Sequence, residues 1–125
     1  MNNIKAQKLL NKIQRDLMRN GIITNTLVND LKELRTLVVE EEGQPLLAKT
    51  IRLTYEHVDA YDSFNIAIPE DDPIEEGEEA PVQEETTGQE SLDYLLSLMA
   101  DPSNRVNEIE LREYVNAFNE YAEEN

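Results

Sequence analysis

Residues Ile4 to Gly21 read IKAQKLLNKIQRDLMRNG, and this stretch decides the fold class. Ala6, Leu9, Leu10, Ile13 and Leu17 recur at helical spacing and share one face. Lys5, Lys8, Lys12, Arg15 and Arg19 follow at intervals of three, four, three and four, which places a cationic stripe on a different face of the same helix. Asn20-Gly21 is a helix stop, because glycine takes the left-handed conformation at no steric cost. The spacing predicts a helix from about Asn3 to Asn20.

The apolar helical pattern recurs twice. Leu27, Leu31, Leu34 and Val38 form a row, with Val28 and Leu37 beside it, in a helix from Asn25 or Thr26 to Glu42 that Gly43 ends. A third helix opens at Pro45, whose missing N–H would be unpaired there anyway. It carries Leu47, Ile51, Thr54 and Val58 and ends near Asp62. Three amphipathic helices with short connections are expected to pack as an antiparallel bundle.

Next comes SFNIAIPEDDP, residues Ser63 to Pro73. Phe64, Ile66 and Ile68 alternate with polar or small residues, which is the period of a strand. A lone strand needs an edge to pair with, so this segment is expected either to dock on the bundle or to act as a recognition segment. Residues 70–90 hold ten acids and no base, broken by Pro and Gly, and are expected to be a solvated, disordered linker. Helical spacing then resumes. Ser91 is the expected cap of a short helix with Leu92, Leu95, Leu96 and Met99, and Asp101-Pro102 breaks it. Asn107, with Glu110 three residues on, reads as the capping box of a last helix. That helix bears Leu111, Val115, Phe118 and Ala122 on one face, with Tyr114 and Tyr121 beside them.

The expected architecture is all-α. A small three-helix bundle covers 1–68 with a short extended segment at 63–68. An acidic flexible linker follows over 69–90, and a helical hairpin over 91–125. Two short helices cannot bury an apolar face alone. The hairpin must pack on the bundle, on a second copy or on a partner.

The chain has 125 residues and a formal charge of -16. The charge is unevenly spread: residues 1–39 carry a net +4 and residues 40–125 a net -20. No Lys or Arg lies between Arg52 and Arg105. Such asymmetry is a signal about partners or self-interaction. Without cysteine there is no disulfide framework and no thiolate chemistry. No apolar run is long enough for a signal peptide or a membrane span, so an intracellular, cytoplasmic protein is expected, with a virion-associated setting compatible. The Asn and Lys usage suits a bacterial or phage genome.

Catalytic chemistry finds little support. The one histidine, His57, sits in YEHVDAYD, where neighbours on a helix point apart, and it is expected at the surface or half-buried. No phosphate-cradling glycine loop is present. The helix–loop–helix around Asp101 resembles a calcium loop only in outline, since Arg105 and Val106 fall where oxygen ligands and the turn glycine belong. No cofactor, metal or small-molecule substrate is expected.

The cationic stripe could face nucleic acid, with Lys32 and Arg35 adding to the field. However, no aromatics interleave to stack on bases, and the rest of the chain repels a polyanion, which argues against direct nucleic-acid binding. A membrane surface is disfavoured by the same charge. The expected function is a non-enzymatic protein–protein interaction module: an adaptor, assembly factor or accessory structural subunit whose partner is another protein or a second copy. The alternative is an acidic inhibitor, a mimic of DNA that occludes a basic groove of a nucleic-acid-binding protein. Phe64, Ile66, Ile68, Leu111, Tyr114, Val115, Phe118 and Tyr121 are the expected partner anchors, since aromatics tend to anchor interfaces. The stripe of Lys5, Lys8, Lys12, Arg15 and Arg19 is expected either to dock on the chain's own acidic segment or on a partner, or to be simply a solvated face.

Overall fold

A computed structural model describes residues 3–40, 44–68 and 88–124. It contains five helices: α1 (Ile4–Asn20), α2 (Thr24–Glu40), α3 (Pro45–Tyr61), α4 (Gly88–Ala100) and α5 (Arg105–Glu124). The chain is all-α, and no strand occurs among the described residues.

Local chemistry sets the helix ends. The Asn3 side chain accepts from the backbone of Lys5 at 2.8 Å and of Ala6 at 3.3 Å, satisfying two amides that the helix itself leaves unpaired. Gly21, at φ 70°, turns the chain while its N–H bonds to the Leu17 carbonyl at 2.9 Å. Asp62 does the same for α3 at φ 55°, bonding back to Val58 at 2.8 Å. Aspartate is among the few side chains that tolerate this region. The Thr24 hydroxyl donates to the Asp62 carboxylate, which ties the start of α2 to the end of α3. Thr24 is the first helical residue of α2, one or two positions before the expected start.

The helices close a ring: α1 packs on α2, α2 on α3, α3 on α5, α5 on α4, and α4 back on α1. The two C-terminal helices therefore fill the gap that three helices alone leave open. The Gln89 side chain donates to the Leu17 carbonyl at 2.9 Å, and Gln14 donates to Ser97 at 3.2 Å, so α4 runs back along α1 from the latter's end. Helix α5 returns beside α4 and lies parallel to α3. Buried residues of all five helices, with Phe64 and Ile66, form one apolar cluster. Two of the three buried polar residues of α3 are satisfied within the helix: Thr50 donates to Leu46 and Thr54 to Thr50, each at 2.7 Å.

Several expectations need correction. Residues 63–68 form no strand; the alternation survives only as burial, with Phe64 and Ile66 inside and Asn65 and Ala67 outside. Apolar alternation needs one covered face, and here the bundle supplies it. Helix α4 begins at Gly88, inside the stretch expected to be linker. Ser91 is not its cap but a buried residue of its interior. A Cβ on Gly88 would lie 2.2 Å from the Phe64 carbonyl oxygen, so only glycine permits this approach. Helix α5 is capped by Asn104, whose side chain accepts from Val106 at 3.0 Å and Asn107 at 3.3 Å. Asn107 instead donates to the Asp101 carbonyl at 3.0 Å, and Glu110 accepts from the Tyr94 hydroxyl. The expected linker residues 69–87 lie outside the described residues.

Candidate interaction surface

The expected partner anchors are used within the chain. Leu111 and Tyr114 are fully buried, and Phe64, Ile66, Val115 and Phe118 are nearly so. Ile68 and Tyr121 are half-buried. The buried members form the seam between α3, α5 and the 64–66 segment and offer almost no surface to a partner, which leaves only Ile68 and Tyr121 partly accessible. Tyr114 donates to the Ser91 carbonyl at 3.1 Å, and its hydroxyl lies 3.0 Å from the Ser91 Oγ. Burial pushes its phenol well above the ordinary tyrosine range.

His57 lies in the same seam. It is 6% exposed, against the expectation of a surface or half-buried position. Its ring meets Tyr61 at 4.8 Å, Tyr121 at 5.0 Å, and Phe64 and Phe118 at 5.6 Å between centroids. Nε2 accepts the backbone N–H of Asn65 at 3.0 Å, which assigns the ring proton to Nδ1. Burial holds the His57 pKa below its ordinary value. The one imidazole is thus neutral and engaged in pinning the 64–66 segment to α3. A groove of about 220 Å³ opens beside it, lined by Leu53, Glu56, Tyr61, Phe118 and Tyr121. With Nε2 already accepting, no free base faces that space from His57. Among the described residues no group of three His, Asp or Glu side chains is placed to share a metal ion.

The cationic stripe has a different fate. Lys5, Lys8, Lys12, Arg15 and Arg19 are all exposed on the outward face of α1. Lys12 alone is paired, at 2.8 Å to Asp30 and 3.0 Å to Asp16. Those hydrogen bonds, to Asp30 first and Asp16 second, raise its pKa. Lys5, Lys8, Arg15 and Arg19 have no ion pair among the described residues. Two large apolar side chains border them: Ile4 is 67% exposed and Met18 is 73% exposed. On a helical projection Ile4, Asn11 and Met18 form a row beside Lys8 and Arg15. Lys32, one of the two cations expected to extend the field, instead stands 5.7 Å from the ring centroid of Tyr55.

No family model, curated protein or solved structure matches this chain. None of the helices among the described residues is long and apolar enough to cross a membrane.

The stripe was readable from spacing alone. Its framing by Ile4 and Met18 was not, because an isolated apolar residue on the polar side of a helix carries no periodic signal. The engagement of His57 was equally hidden, since its acceptor role depends on a backbone amide eight residues away that only the turn after α3 brings near.

Proposed function

We propose that this chain is a non-enzymatic protein–protein interaction module, an adaptor or assembly subunit, and that it engages its partner through the outward face of α1. The observation that carries this reading is the composition of that face. Four cations without an ion-pair partner among the described residues lie beside two exposed apolar side chains. Single exposed apolar residues are common on protein surfaces; here two of them flank a row of cations, the combination of apolar contact and register-fixing charge that an interface uses. Most of the aromatic residues that would ordinarily anchor a partner are engaged in the seam around His57, and α1 is the helix on which four cations without an ion pair among the described residues share one face.

The test is capture of partners from a host lysate treated with nuclease, using the wild-type chain and Lys8→Glu/Arg15→Glu/Arg19→Glu in parallel. The triple variant should lose a protein that the wild type retains through moderate salt. Identical capture by both would remove α1 from the account. A captured set of basic nucleic-acid-binding proteins that washes off at moderate salt would favour the acidic-inhibitor reading instead.

A further inference from the structure

The outward face of α1 has a counterpart in the same chain. On α1, Ile4, Lys8, Arg15 and Arg19 are spaced by four, seven and four residues. On α5, Ile109, Glu113, Glu120 and Glu124 are spaced by the same four, seven and four. Ile109 is 49% exposed, and Glu120 and Glu124 are exposed. Glu113 is half-buried and already engaged within its own chain, so the open carboxylates of the row are its two C-terminal members. Lys12 is the stripe cation outside the matched set. The residue of α5 at its position in the register is Ala117, and Lys12 is also the cation already paired with Asp16 and Asp30. The helices carry opposite and equal formal charge, +4 on α1 and -4 on α5.

Within one molecule these two faces cannot meet. In the ring, α4 separates α1 from α5 on one side, and α2 with α3 separates them on the other. Helix α4 is antiparallel to both, so α1 and α5 run in the same direction. A neighbour displaced sideways without inversion therefore presents its α5 parallel to α1.

We propose that the outward face of α1 docks on the outward face of α5 of a second copy of this chain, parallel and in register. Ile4 then faces Ile109, Arg15 faces Glu120 and Arg19 faces Glu124, over about 22 Å of helix at 1.5 Å per residue. This rests on the reading of α1 as the interaction face and names its occupant. The contact is heterologous, because each copy offers one face of each kind, so it propagates until a ring closes or a filament grows. The net charge of -16 opposes self-association at low salt. At about 0.15 M salt the screening length is about 8 Å, which weakens that long-range repulsion more than ion pairs in contact.

The experiment is sedimentation velocity on the full chain over a hundredfold range of concentration, at about 0.15 M and about 1 M salt. Three further samples are Arg15→Glu/Arg19→Glu, Glu120→Lys/Glu124→Lys, and the two mixed in equal amounts. Helix content by circular dichroism confirms that each variant folds. The wild type should associate as concentration rises at the lower salt and weaken at the higher. Each variant alone should associate at least about tenfold more weakly. The mixture should recover association, because reversed α1 meets reversed α5. A wild type that stays monomeric throughout overturns the proposal, as it would if the chain's own acidic segment or another protein occupied α1. A mixture no stronger than its components overturns it as well. If the chain is monomeric yet the lysate capture depends on Lys8, Arg15 and Arg19, self-docking fails and the interaction reading stands. If neither depends on them, both fail.

Discussion

The seam around His57 and the outward face of α1 are built from similar material, helical residues with a mixture of charge and apolar bulk. They differ in how completely the fold answers each group. In the seam, Tyr114 and Ser91 satisfy each other, His57 accepts the Asn65 amide, and the rings of Phe64, Phe118 and Tyr121 close around them. On α1 the fold answers Lys12 and leaves Lys5, Lys8, Arg15 and Arg19 facing solvent. A buried polar group without a partner costs free energy, so the seam is constrained by stability. Exposed cations are under no such constraint, and their arrangement is free to serve recognition.

This contrast predicts a graded series of effects. Tyr114→Ala removes a fully buried ring and leaves the Ser91 hydrogen bonds unmade, and it should cost about 3–5 kcal/mol in chemical denaturation. If the loss is small, the seam is not the structural centre described here. Next comes Gly88→Ala. Its Cβ meets backbone rather than a movable side chain, so the 64–66 segment or the start of α4 must shift, with an expected loss of about 1–3 kcal/mol and a lower melting temperature.

Acid should act on the seam through His57. Its folded-state pKa lies below the ordinary value, so its stabilising contribution is complete above the ordinary histidine range. That contribution declines as pH falls through this range and the lowered folded value, because the unfolded chain then binds the proton more readily. Denaturation midpoints measured against pH should show this decline. In His57→Gln, which retains an acceptor without the titration, the decline should flatten. The smallest effects belong to α1. Lys12→Ala should cost under about 1 kcal/mol, since the Lys12 side chain is about half exposed. Lys8→Ala and Arg15→Ala should stay within about 0.5 kcal/mol of wild type. A larger cost at Lys8 or Arg15 would mean that α1 is structural, and the comparison would collapse.

The sequence reading located α1 to within one residue, because Asn3 and Gly21 punctuate it, and Pro45 marked the start of α3. At α5 the expected cap, Asn107, lies three residues beyond the observed one, Asn104. Asn107 with Glu110 satisfies the capping-box pattern, but Glu110 is taken by Tyr94, a contact across the hairpin that no local rule contains. The start of α4 was missed for a related reason. Gly88, Gln89 and Glu90 resemble linker in composition, yet Gly88 lies close against the Phe64 carbonyl and Gln89 donates to Leu17. The aromatic residues of α5 were expected to anchor a partner, and in the structure Tyr114 and Phe118 are buried within the chain. What covers them was not readable, since spacing describes a face and not its neighbour.

The ring of five helices also has a consequence for how the chain is made. Helix α1 leaves a ribosome before its neighbour α4, which lies beyond residue 87, and α5 follows after that. At about 5–20 residues per second, several seconds pass before Leu10, Ile13 and Leu17 gain full cover. During that interval the nascent N-terminal helices expose an apolar seam that the finished protein hides. The closing helices thus set the moment at which that seam leaves water.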